Sequence, residues 1–176
     1  LCRDAAKEIK SQLDLERLQV EYVEVTAANR FEKLAAGETD LLCGPTTATL
    51  SRRETLDFSI PYFIDGSSVV FRSGYIEIVE DLHGEVVGVL AGTTTEGIVG
   101  QLSEARALNL TINTYQTHVE GLRALEEGEV AAYFGDQAIL RYQLGEMRPT
   151  LPLKFSPNQF SFEPYALTMK RGEARL

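Results

Sequence analysis

Three short polar segments hold side chains whose types and spacing suit the capture of a small charged molecule. The first is Gly44-Pro45-Thr46-Thr47-Ala48-Thr49-Leu50-Ser51-Arg52-Arg53, hydroxyls followed by a guanidinium, with Thr47 and Arg52 five residues apart. A guanidinium is planar and meets a carboxylate through two parallel hydrogen bonds. A threonine hydroxyl either donates to a carboxylate or accepts from an ammonium. The second segment, Gly92-Thr93-Thr94-Thr95-Glu96, reads as a strand-to-helix turn whose unpaired N–H groups and helix dipole make an anion seat. The third is Gly135-Asp136, at the end of an apolar run, where a carboxylate either caps the next helix or holds a cation. Each has an ordinary structural reading: a polar turn, a capped helix, an N-cap. Together they form the inventory that an amino-acid zwitterion needs, an Arg and backbone donors for its carboxylate, a carboxylate and neutral acceptors for its ammonium.

Other chemistries find less support. The only histidines are His83 and His118, neither near a cysteine in sequence, and Cys2 and Cys43 form no C-x-x-C. The two cysteines read as buried thiols or as a disulfide with each other. No catalytic group, metal site or cofactor is expected. With 17 Lys+Arg against 26 Asp+Glu, a net charge of −9 and a pI near 4.8, the chain lacks the basic surface that meets phosphate, so no nucleic-acid partner is expected. Its 176 residues, 44% of them hydrophobic, suffice for a core in one large domain or two small lobes. No apolar run approaches the roughly 20 residues that span a bilayer. The chain begins without Met or an apolar leader, and reads as a fragment or a processed form.

The elements that must position these segments alternate. Helical spacing of Ala6, Ile9 and Leu13 predicts a short amphipathic helix over 3–13, and Phe31, Leu34 and Ala35 predict another over 29–36, stopped by Gly37. Strands are expected at 18–25, 39–43, 67–72, 86–90, 110–115, 130–134, 151–155 and 162–169. Two capping boxes, Thr93 to Glu96 and Thr117 to Glu120, open helices, and Asp136 opens a third over 137–144. Such alternation predicts an α/β architecture with mostly parallel sheets, whose ligands sit where strands run into helix N-termini.

At this point the residues resemble a known family. Asn29-Arg30, Leu34-Ala35-Ala36-Gly37-Glu38-Thr39-Asp40-Leu41-Leu42-Cys43-Gly44, Thr47-Ala48-Thr49-Leu50-Ser51-Arg52-Arg53-Glu54 and Leu56-Asp57-Phe58-Ser59-Ile60-Pro61-Tyr62 are similar to the extracellular solute-binding proteins of family 3. So are Asp81-Leu82-His83-Gly84-Glu85-Val86-Val87-Gly88-Val89 with Gly92-Thr93-Thr94-Thr95, and the segments 125–136 and 165–172. The resemblance implies the two-lobed α/β fold of type II periplasmic binding proteins, here truncated at both ends. Lobe one would comprise 1–65 and 163–176, lobe two 66–162, with the ligand cleft between them. Crossing strands would fall near 63–66 and 161–163.

The resemblance also implies roles. Arg52 would hold the ligand α-carboxylate, helped by Thr47 and by Thr94 and Thr95, while Asp136 and the Pro45 carbonyl would hold the α-ammonium. Arg30 and His118 match positions that face a distal carboxylate in glutamate/aspartate-type members. The implied function is reversible binding of a polar L-amino acid, glutamate or aspartate favoured, delivered in the periplasm or outside the cell to an ABC permease in the membrane. Two other classes stay open. One is a ligand-sensing domain of a membrane receptor. The other is a cyclohexadienyl dehydratase-like enzyme on the same fold, for which Glu96 and Glu163 are the candidate acids.

Overall fold

A computed structural model of the chain describes residues 1–74 and 76–172. In chain order the elements are α1 (Cys2–Gln12), α2 (Arg30–Ala36), β1 (Leu41–Leu42), β2 (Leu56–Phe58), β3 (Phe63–Asp65), β4 (Ser67–Arg72), β5 (Val86–Leu90), α3 (Thr94–Ala105), β6 (Thr111–Tyr115), α4 (His118–Glu127), β7 (Ala132–Asp136), α5 (Gln137–Met147), β8 (Leu153–Phe155), β9 (Glu163–Tyr165) and β10 (Thr168–Lys170). They divide into two compact units, Leu1–Phe63 with Pro164–Leu176, and Ile64–Glu163. The chain therefore passes between units twice, within β3 and within β9, and these two strands pair with each other.

The first unit is built on a sheet ordered β1-β10-β2, antiparallel throughout. Leu34 of α2 packs on Leu42 and Leu56, with Val25, Phe31 and Phe58 at the margin. Gly37 ends α2 at φ +75, a left-handed backbone that glycine adopts without steric cost. Cys2 and Cys43 form a disulfide joining the start of α1 to the residue after β1. That resolves the two readings of the cysteines in favour of pairing. No residue of α1 is buried, so its amphipathic pattern marks a surface helix tied down covalently.

The second unit is a five-stranded sheet ordered β6-β5-β7-β4-β8 with helices against it. Alternation along β4 splits its core: Val69 and Phe71 pack with Val87, Val89 and Val99, whereas Val70 packs with Leu122, Leu125 and Tyr133. Gly121 is required where α4 crosses Tyr133, because a Cβ there would lie 1.9 Å from the ring Cε2.

Four expectations need correction. Residues 18–25 form no strand; Leu18, Val20, Tyr22 and Val23 are exposed, and an alternating pattern without a partner makes no ladder. The sheets are not mostly parallel. Within the three-stranded and five-stranded sheets, among the described residues, β5 pairs in parallel with β6 and β7 and the other pairings are antiparallel, because β4 and β10 follow the passages between units and run against their neighbours. The single late strand expected over 162–169 is two, β9 and β10, in different sheets. Finally, the box at Thr93 does not form: its hydroxyl donates to the Leu90 carbonyl, and Glu96 accepts from the Gly92 amide. The box at Thr117 does form, with Glu120 N donating to Thr117 Oγ1 and Glu120 Oε2 accepting from Thr117 N.

Candidate functional site

Within the first unit, backbone pairing fixes the Thr46–Ala48 segment. Ala166 N donates to the Thr46 carbonyl at 3.1 Å, Ala48 N donates to the Pro164 carbonyl at 2.9 Å, and Thr47 bridges Tyr165. Pro45 stays exposed, and the Tyr62 hydroxyl donates to the carbonyl of its neighbour Gly44. Burial pushes the Tyr62 phenol up from its ordinary pKa, so it stays a donor. Arg52 opens a 3₁₀ turn whose first amide donates to Thr49 Oγ1. Its Nη1 donates to the Thr47 carbonyl at 2.9 Å, and its guanidinium lies 4.9 Å from the Phe31 ring centroid. Arg30 packs on that ring at 4.4 Å and donates to the Ala27 carbonyl. One aromatic ring thus carries two guanidinium groups, and Arg30, 8% exposed, is set deeper than Arg52. A hollow of about 410 Å³ opens beside Arg52, lined by Phe31, Ser51, Thr55, Lys170 and Arg171 among others; Thr47 and Pro45 are not in its wall. Its lining charges are all positive.

The second unit gathers Thr94, Thr95, Asp136 and His118. Thr95 is buried, and its hydroxyl lies 3.3 Å from Asp136 Oδ1, to which it donates, and 3.2 Å from Ser67 Oγ. Its side chain therefore acts on Asp136 and is not at the surface. Asp136 directly precedes α5, where an Asp ordinarily caps through its side chain. Here it makes no such cap bond; the amide of Ala138 donates instead to Asp65 Oδ2 of β3, at 3.0 Å. Asp65 was not apparent from the sequence, because it reaches α5 across a separation of 73 residues. Thr94, the first residue of α3, donates its hydroxyl proton to Glu163 Oε2 at 2.9 Å. Glu163 is 2% exposed and takes a second hydrogen bond from Ser161 at 2.7 Å. Glu96, the other candidate acid, is engaged in closing the turn at Gly92.

His118 is the first residue of α4, half-buried, with Nδ1 3.2 Å from the Tyr133 hydroxyl and its ring edge-on to that phenol. Burial lowers its pKa to about 4, so the imidazole is neutral at pH 7, and it also pushes the Tyr133 phenol well above its usual value. Among the described residues, no group of three or more His, Cys, Asp and Glu side chains is arranged to hold a metal ion, and no helix is long and apolar enough to cross a membrane.

One unit thus holds a guanidinium braced beside a hydroxyl-rich turn, and the other a carboxylate held by a buried threonine. The chain belongs to the bacterial extracellular solute-binding proteins, family 3, whose family model matches residues 2–175. It is 28% identical to the L-glutamate/L-aspartate-binding protein of Pseudomonas aeruginosa over 94% of this chain and 55% of that protein. It is 32% identical to the glutamate/aspartate import solute-binding protein of Escherichia coli over 75% of this chain and 44% of that one. An ancestral arginine-binding protein solved with arginine matches with a TM-score of 0.83 at 28% identity, covering 98% of this chain and 74% of that structure. The chain spans about half the length of these curated relatives.

Proposed function

We propose that this chain is the ligand-binding part of a receptor that captures a polar L-amino acid, with glutamate or aspartate favoured, for delivery to an ABC permease in the membrane. In this reading Arg52 and Thr47 take the α-carboxylate together with backbone amides at the start of α3. Asp136 takes the α-ammonium with the Pro45 carbonyl, and Arg30 and His118 read the distal group. The observation that carries the proposal is the relief of Asp136 from its customary duty: the cap of α5 comes from Asp65, while Thr95, itself in hydrogen-bond contact with Ser67, holds the Asp136 carboxylate from the buried side. A carboxylate oriented from behind and not consumed by its own helix suits an ammonium group. The names of the glutamate/aspartate-binding relatives support the acidic preference, and membership of the extracellular solute-binding family supports a site of action in the periplasm or outside the cell. Binding needs no chemistry; a few charge-assisted hydrogen bonds supply the about 8 kcal/mol of micromolar affinity.

Isothermal titration calorimetry of the full-length protein with the twenty amino acids tests this. Micromolar binding of L-glutamate or L-aspartate, with glutamine at least about tenfold weaker, is the expected result. Equal affinity for glutamate and glutamine would remove Arg30 and His118 from the reading. Absence of heat with all twenty would refute amino-acid capture.

A further inference from the structure

As a carboxylate, Glu163 only accepts hydrogen bonds, and both of its oxygens are met by hydroxyls: Oε1 by Ser161 at 2.7 Å and Oε2 by Thr94 at 2.9 Å. A hydroxyl carries a single proton, so the Thr94 proton is committed to Glu163 and its oxygen keeps only lone pairs for other partners. The neighbouring Thr95 proton is likewise directed to Asp136 Oδ1. Neither threonine side chain at the start of α3 is left to donate to a ligand carboxylate. Glu163 is almost completely buried on β9, next to the residue at which the chain leaves this unit, and Ser161 ties it to β4 through the Ser67 amide at 2.9 Å.

We propose that Glu163 is a positioning residue that sets the polarity of the ligand subsite: it turns Thr94 Oγ1 into an obligate acceptor, so that this side chain meets the ligand's ammonium, and carboxylate recognition at α3 is left to backbone N–H groups. This rests on amino-acid capture as proposed above, and it gives the Thr94 side chain a part other than the carboxylate contact that the family resemblance implies. The subsite selects for the ammonium through two groups, Asp136 directly and Thr94 by way of Glu163. A buried carboxylate with two hydroxyl donors is a costly feature for packing alone, and a Met of similar length would fill the space.

The test compares L-glutamate with glutarate, which lacks the ammonium, by calorimetry on the native protein, Glu163→Met, Thr94→Val and the double variant. If the panel selects another amino acid, that one and its deamino counterpart are used. The native protein should prefer the amino acid, and each single variant should narrow that preference by about tenfold, the worth of one charge-assisted hydrogen bond. The double variant should narrow it no further than Thr94→Val, because Glu163 acts on the ligand only through the Thr94 hydroxyl. A merely structural Glu163 would lower thermal stability and weaken both ligands equally, leaving the ratio unchanged, and that result overturns the proposal while sparing amino-acid capture. Additive narrowing in the double variant overturns it too. Should Glu163→Met fail to fold, Thr94→Val decides alone: an unchanged ratio refutes the acceptor role. No binding of any amino acid by the native protein would instead overturn the underlying reading, and this proposal with it.

Discussion

Replacing Asp136 with Asn should separate ligand binding from folding. Asn keeps the carbonyl oxygen that Thr95 donates to at 3.3 Å, and the cap on α5 is supplied by Asp65 through Ala138 N, so these two bonds are kept. What disappears is the negative charge that the proposed function sets against the ligand's ammonium. A hydrogen bond to a charged group is worth about 1.5–3 kcal/mol, which is about 10- to 150-fold in affinity. Asp65→Ala should do the reverse: loss of a helix cap costs about 0.5–2 kcal/mol, lowering Tm by several degrees in a chain of this size. Affinity at saturating folded protein should change little. Calorimetry with L-glutamate and thermal unfolding, run on both variants, give the crossed pattern directly. If Asp136→Asn unfolds early and binds normally while Asp65→Ala binds poorly, the assignment of the two carboxylates is wrong.

Two further outcomes follow from the second unit. His118 titrates near 4 when folded and near its ordinary 6.5 when unfolded, because burial disfavours the charged ring. The unfolded chain therefore binds the extra proton between those values; stability is at its full value above about pH 6.5 and declines as pH falls toward 4, by at most about 3 kcal/mol and less in proportion as water reaches the ring. Urea unfolding of native protein and His118→Gln at pH 7 and pH 4.5 should show this decline in the first and a flatter response in the second. Gly121→Ala should cost about 2–3 kcal/mol or prevent folding, since its Cβ would lie 1.9 Å from Tyr133 Cε2 and the ring is packed among Leu122, Leu125 and Leu140. A thermal melt within a degree or two of native would contradict the packing described.

Local signals were readable in the sequence wherever they were self-contained. Gly37 stops its helix in the left-handed region, the Thr117 box closes on Glu120, and the strand expected over 67–72 is β4, its apolar run buried on both faces. What the sequence hid depends on distant partners. Residues 18–25 alternate like a strand, yet among the described residues they pair with none. The Asp136 cap is supplanted by Asp65, 73 positions before Ala138, and Glu163 gives no sign in sequence that it will be buried against Thr94, 69 positions away. Of the expected ligand residues, Thr95 turned out to lie beneath Asp136, and His118 to be neutral against Tyr133. Alternation of helix and strand predicts parallel pairing, and it does not reveal which strands return from the other unit and so run antiparallel.

A crystal structure of the full-length protein soaked with L-glutamate would probe the account most directly. The guanidinium of Arg52 should lie within hydrogen-bond distance of one ligand carboxylate and the acid of Asp136 within hydrogen-bond distance of the ammonium of that same molecule. Density for glutamate touching only one of these two groups, or seated away from both, would contradict it.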